Sequence, residues 1–242
     1  MKSIYSKIRK CRICDDKNLI PINKLGVFSL TGTFLKKINS KTYDTPVDIV
    51  FSKKSKLLQL NHNYNQKKLF GDNYGYRSGL NKSMQNHLKL KSKIILKKYS
   101  LKKGDKIMDI GSNDGTFLNY FPKSLIKYGV DPTAHKFKKY YKKNTKVIPK
   151  IFKKNILKKS QIKFKFISAI AMFYDLSNPK LFIQTVKNYL HKDGIFHVEI
   201  AYLPDILKKN SFDTFCQEHL TYFSFTSFKY LIDQTSFKIV DF

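Results

Sequence analysis

The stretch Ile107-Met108-Asp109-Ile110-Gly111-Ser112-Asn113-Asp114-Gly115 decides the fold. A short apolar run ends in a turn carrying two glycines, which let the backbone reverse tightly and approach a ligand closely. Beyond this turn the elements alternate in type. Residues 117–125 begin as a helix interrupted by Pro122, and 126–130 form the next strand, closing at Asp131-Pro132. Pro132 is suited to open a helix over 134–142. Strand 164–173, helix 180–190, strand 195–200, helix 227–234 and strand 237–242 complete the series. Alternating β and α elements of this length predict an α/β, Rossmann-like, doubly wound parallel sheet.

Upstream, the first eighty residues are short apolar pieces separated by Pro21, Gly26, Gly32, Pro46, Gly71, Gly75 and Gly79, which reads as a loop-rich module. Leu80, Met84, Leu88, Ile95 and Tyr99 then fall at helical spacing, predicting a helix over 81–99. The expected division is a small module, 1–80, and an α/β domain, 81–242.

Composition excludes several classes. With 42% apolar and 14% aromatic residues the chain can bury a core, so wholesale disorder is ruled out. The longest uncharged apolar run, 166–174, is nine residues, short of the roughly 18 a membrane span needs. Residues 1–7 carry charge with no apolar segment behind them, unlike a secretory signal. Three cysteines cannot form a disulfide framework. The expectation is a cytoplasmic protein without a membrane span.

The net charge is +30. Nearly all of it is lysine: of 47 basic residues only Arg9, Arg12 and Arg77 are arginine. Nucleic-acid sites favour arginine forks, and these lysines run from Lys2 to Lys238 without a patch. Four alanines, no tryptophan and abundant Asn, Ile, Phe and Tyr fit a chain drifting under A/T-rich coding. A general, salt-sensitive attraction for polyanions follows, but no specific nucleic-acid partner.

The turn also bears on the cofactor. Asp131 lies twenty residues beyond Gly111 at the end of the second strand, where a carboxylate can accept hydrogen bonds from a ribose diol. A dinucleotide fingerprint would place a glycine where Asn113 stands. The acid at Asp109 instead resembles S-adenosylmethionine methyltransferases, in which it faces the methionine end. The candidate cofactor residues are Asp109, Gly111, Asn113, Asp114, Gly115 and Asp131.

Three further stretches extend the likeness: 168–176 (Ser-Ala-Ile-Ala-Met-Phe-Tyr-Asp-Leu), 197–203 (His-Val-Glu-Ile-Ala-Tyr-Leu) and 213–224 (Asp-Thr-Phe-Cys-Gln-Glu-His-Leu-Thr-Tyr-Phe-Ser). With Leu69-Phe70-Gly71-Asp72-Asn73-Tyr74-Gly75-Tyr76-Arg77-Ser78, they closely resemble the nucleotide-sugar C-methyltransferases. Those enzymes join a small zinc module, a class I methyltransferase domain and a further C-terminal domain. The resemblance implies methyl transfer from S-adenosylmethionine to a carbon beside the ketone of a nucleotide-linked deoxysugar.

Such chemistry needs a base and a group to stabilise the enolate. His219 is the candidate base, preceded by Glu218, one of only two glutamates in the chain. The other, Glu199, ends a strand, where it would serve substrate binding or a structural hydrogen bond. Tyr76 matches a family aromatic whose phenol would bind the enolate oxygen. Asp175 and its neighbour Tyr174 compete for a polar contact with the sugar. Cys216 stands where some members carry tyrosine, so that contact does not transfer.

Two departures stand out. Cys11-Arg12-Ile13-Cys14 is half of a zinc ribbon, and the resemblance places the second pair where Ser52 and Ser55 occur. Hydroxyls are poor zinc ligands and His62 would add one nitrogen at most, so zinc is expected to be lost. In addition, 237–242 reads as the penultimate strand of the methyltransferase sheet. The closing strand and the family's C-terminal domain have no counterpart, so the sequence reads as a truncated or fragmentary member.

Overall fold

The computed structural model describes residues 3–35, 37, 40–71, 73–157 and 162–242. Asp72, within one of the family-like stretches, lies outside them. The chain divides into two compact units: Met1–Tyr74 with Met172–Gln184 and Ile200–Phe242, and Gly75–Ala171 with Thr185–Glu199. The division therefore does not follow the expected boundary at residue 80.

The second unit holds a five-stranded, wholly parallel sheet of Lys106–Ile110, Ile126–Val130, Thr145–Ile148, Phe164–Ile170 and Leu190–Glu199. Numbered along the chain, the strands lie in the order 3-2-1-4-5, which is the doubly wound pattern. Ile107, Met108, Ile110, Phe164, Phe166 and Ile167 are buried, as strands covered on both faces require. Helix Lys82–Lys98 begins at Asn81, whose side chain accepts the Ser83 N–H. It sends Leu88 and Ile95 into a core shared with Phe117, Phe121 and Phe166.

Other expectations shift. Thr145–Ile148 forms a strand the sequence reading missed, because four residues with a lysine among them carry no distinct period. The 134–142 helix shortens to Ala134–Phe137 and a 3-10 turn. The strand expected over 164–173 stops at Ile170, where Ala171 takes φ 51°.

The first unit is built on an antiparallel sheet in the order Thr221–Tyr222, Leu57–Leu60, Asp44–Ser52, Leu19–Ser29. Thr221 and Tyr222 pair with Gln59 and Leu58. Ile206, Leu220 and Tyr222 then share one core with Val47, Ile49, Leu60 and Tyr64. That pairing draws Ile200–Phe242 out of the expected 81–242 domain.

The strand expected at 237–242 is absent: this stretch forms no ladder, Val240 is exposed, and the Phe242 ring lies against Tyr202 and Phe225. Strand propensity alone does not make a strand; a partner edge must accept it. No helix among the described residues is long and apolar enough to cross a membrane.

The Cys11–Cys14 knuckle is held by Arg12. Its guanidinium donates to Gln59 Oε1, the Leu60 and His62 carbonyls and Asn63 Oδ1 at 2.6–3.2 Å. Burial lowers its pKa to about 10, which still leaves it charged. Cys11 Sγ meets Ser55 Oγ at 3.3 Å and Cys14 Sγ meets Ser52 Oγ at 3.4 Å. The four ribbon positions thus converge, but two thiols and two neutral hydroxyls do not fit structural zinc. We predict that Ser52→Cys combined with Ser55→Cys restores the ligand set. After dialysis against a chelator, metal analysis should find one more zinc per chain in that double variant than in the parent.

Candidate active site

The sheet order reverses between Lys106–Ile110 and Phe164–Ile170, and their carboxyl ends flank the crevice where doubly wound proteins bind ligands. The turn after Ile110 takes positive φ at Gly111 (76°), Asn113 (48°) and Gly115 (77°) before helix Thr116–Asn119 opens. Gly111 N–H donates to the Val130 carbonyl at 2.8 Å, fastening the turn to the neighbouring strand.

Three carboxylates are buried around this turn. Asp131 accepts from Asn113 N–H at 2.9 Å on one oxygen, and from Thr133 N–H and Oγ1, both at 2.6 Å, on the other. A carboxylate has about four acceptor positions, so Asp131 has room for one ribose hydroxyl rather than the expected pair. Asp114 is filled. It accepts from Gly79 N–H at 2.9 Å, Arg77 Nη1 at 3.3 Å, Thr116 N–H at 3.1 Å and Thr116 Oγ1 at 2.6 Å. Asn113 binds the same segment, its Nδ2 donating to the Tyr76 carbonyl and its Oδ1 accepting from Ser78 N–H. Both side chains, expected on the cofactor, fasten residues 76–79 over the turn.

Tyr76 itself is exposed. Arg77 stacks on the Tyr140 ring with 4.1 Å to its centroid. Asp109 accepts a hydrogen bond from Ser168 Oγ at 2.7 Å. Burial pushes its pKa up to about 7, the Ser168 bond opposing and the Asp131 charge adding to the rise. Glu199 ends its strand in a hydrogen bond with His87 (2.7 Å) and an ion pair with Lys91 (2.9 Å), both from helix Lys82–Lys98. Burial works against its charge, but hydrogen bonds from Lys91 and His87 prevail and hold it below the usual carboxylate range.

Sequence reasoning missed Tyr141. Its hydroxyl donates to the Asn113 carbonyl at 2.8 Å and lies 2.8 Å from Ser112 Oγ. Its ring fills the space that a Cβ on Gly115 or Gly129 would enter. Two glycines facing one tyrosine are the signal in retrospect, but only the folded sheet sets them opposite each other.

The first unit holds the other candidates. His219 Nδ1 lies 2.8 Å from the Thr214 carbonyl, and its ring meets Tyr174 edge-on at 4.5 Å. The Tyr174 carbonyl accepts from Leu220 N–H (2.9 Å) and Thr221 Oγ1 (3.1 Å), which brings Asp175 to the 216–219 segment. Burial drives the Asp175 pKa well up, His219 opposing while Glu218 and Cys216 add to the rise. Burial likewise raises Glu218, with His219 opposing.

Gln217, also missed, anchors the segment by donating to the Phe28 and Ser29 carbonyls and Thr45 Oγ1 and accepting from Thr31 Oγ1. Gly32, at φ 67°, leaves room for Glu218: a Cβ there would strike the Glu218 carboxylate. Gly32→Ala should therefore displace that carboxylate as well as strain the turn.

A family model described as a methyltransferase domain matches residues 82–241. The chain belongs to this family. It is 26% identical to the C-methyltransferase NovU of Streptomyces niveus over 247 residues, covering all of this chain and 59% of that protein. The chain thus spans about six-tenths of its relative's length. Among solved structures, the complex between the Haloferax volcanii Trm112 methyltransferase activator and a putative methyltransferase aligns at TM-score 0.53. The identity is 15%, with 64% of this chain and 71% of that one covered. The plantazolicin methyltransferase BpumL, solved with a monoazolic desmethylPZN analog and SAH, aligns at TM-score 0.48, with 16% identity and 62% of each chain covered. The fold is that of a class I, Rossmann-like methyltransferase.

Asp109 gives a pH prediction. An acid whose folded pKa is about 7 keeps its proton in the native state while the unfolded chain, near 3.8, has lost it. Its contribution is complete below pH 4, is lost between pH 4 and 7, and is flat above. The change is on the order of 4 kcal/mol. Denaturant titrations of Asp109→Asn across that range should show a shallower fall in stability than the parent.

Proposed function

We propose that this chain is an S-adenosylmethionine-dependent C-methyltransferase acting on a nucleotide-linked keto-deoxysugar at the carbon beside the ketone. The observation that carries the reading is the likeness of the whole chain to a C-methyltransferase. The order of sequence motifs in the 69–78, 168–176, 197–203 and 213–224 stretches supports the sugar class. When bound, S-adenosylmethionine supplies an electrophilic methyl group. The residues that would hold it are the Gly111–Gly115 turn, Asp109 and Asp131, the last with one acceptor position left for a ribose hydroxyl. Asp114, Asn113 and Tyr141 keep that turn in shape.

His219 is the base. A backbone carbonyl only accepts hydrogen bonds, so Nδ1 beside the Thr214 carbonyl carries the proton and Nε2 carries the lone pair. Nε2 takes the proton from the carbon beside the ketone, and the C–H electron pair moves onto the ketone oxygen as an enolate. With the donor bound, the enolate carbon would take the methyl group from the sulfonium sulfur, the C–S electron pair staying on sulfur as S-adenosylhomocysteine leaves. The Tyr76 phenol is the candidate donor to the enolate oxygen. Glu218 steadies the positive charge that His219 acquires, and Asp175 and Tyr174 border it on the sugar side.

His219→Ala should cost 10²–10⁴-fold in methyl transfer while leaving calorimetric S-adenosylmethionine affinity nearly unchanged. The same variant should lose deuterium exchange at the sugar's acidic C–H in heavy water, a step that needs no methyl donor. Retained exchange and transfer would place the base elsewhere, with Tyr76 next in line. Asp131→Ala should instead weaken donor binding by roughly 1.5–3 kcal/mol, the value of a hydrogen bond to a charged group.

A further inference from the structure

The 216–219 segment has a capability that proton abstraction does not use. Cys216 Sγ, a Glu218 carboxylate oxygen and a His219 ring nitrogen lie within 4.8 Å of one another. Thiolate, carboxylate and imidazole are the ligand types zinc takes, and three of them with a fourth position open make an exchangeable site.

Two independent observations point to a cation there. Glu218 Oε1 and Asp175 Oδ1 are both shielded from solvent with no hydrogen-bond partner among the described residues. Asp175 also lies within electrostatic reach of Cys216, Glu218 and His219. Shielded carboxylate oxygens are costly unless a proton, a hydrogen-bond donor or a cation meets them. The second observation is the histidine's orientation. Nδ1 is committed to the Thr214 carbonyl, and a ring N–H held by a backbone carbonyl is the arrangement that fixes metal-bound histidines and presents Nε2. The segment is also preset, because Gln217 ties it to two strands and Gly32 makes room for the Glu218 carboxylate.

We propose that Cys216, Glu218 and His219 form a binding site for a borderline divalent cation of the zinc class. Asp175 is the outer carboxylate and water takes the fourth position. Binding displaces the thiol proton to solvent and oxidises nothing. The proposal rests on geometry within the first unit; the one Nε2 lone pair serves either the cation or the proton, so a bound cation would block His219 as a base.

The test titrates the chelator-treated full chain with Co²⁺ under a thiol-free reductant. The expected result is a sulfur-to-cobalt charge-transfer band that saturates at one cobalt per chain and is displaced by Zn²⁺. Cys216→Ser should abolish the band, whereas changing Cys11 and Cys14 together to Ser should leave it intact. Asp175→Asn should weaken cobalt binding by roughly 10–100-fold, the usual cost of losing an outer-shell partner. Absence of the band in the parent, its survival in Cys216→Ser, or its loss with the Cys11 and Cys14 changes would overturn the assignment. Should Cys216→Ser fail to fold, His219→Gln decides: a loss of cobalt affinity of more than about tenfold supports the site, and unchanged affinity refutes it.

Discussion

Around one five-residue turn the second unit keeps three carboxylates out of water, and its local architecture answers to that demand. Each would be costly if left charged and unpaired. Asp131 is satisfied by the backbone of Asn113 and by Thr133, and Asp114 by Arg77, Gly79 and Thr116. Asp109 has only Ser168 and responds by holding its proton to about pH 7. The positive φ values of the turn, the segment over it and the tyrosine wedged against Gly115 and Gly129 all keep these donors aimed. In a chain with a net charge of +30, the buried acids are served by near neighbours, not by the lysines at large.

The parts of the fold legible in the sequence were those written in local pattern. The run from Ile107 to Gly115, the Asp131-Pro132 ending and the spacing of Leu88 and Ile95 report what a residue and its near neighbours do. Gly32 and Gln217 could not be read as they act, because their partners Glu218, Phe28 and Thr45 lie on other elements. The same holds for the unit boundary: nothing in Thr221-Tyr222 announces that Leu57–Leu60 is its partner edge. The 237–242 stretch fails the other way, with strand-like residues but no ladder to join.

Site residues divide along the same line. His219 and Glu218 were visible as chemistry-bearing types in a glutamate-poor chain. Asn113 and Asp114 looked like cofactor contacts because they sit in the decisive turn; Asp114 is filled by Arg77, Gly79 and Thr116, and Asn113 gives one donor and one acceptor position to Tyr76 and Ser78. Glu199, read two ways, sits beside His87 and Lys91. Residue type and position nominate a site; only the inventory of donors and acceptors shows what capacity remains.

The Arg12 anchor changes what the cysteine knuckle is vulnerable to. A ribbon closed by metal depends on supply and on thiol oxidation state. Here one guanidinium reaches four acceptors on two elements, so the segment's weak point becomes a single codon. Lysine at position 12 would preserve the charge but not the planar fork. In a chain whose basic residues are otherwise nearly all lysine, this buried position is one where the two amino acids are not equivalent, and drift toward lysine would cost the knuckle its anchor.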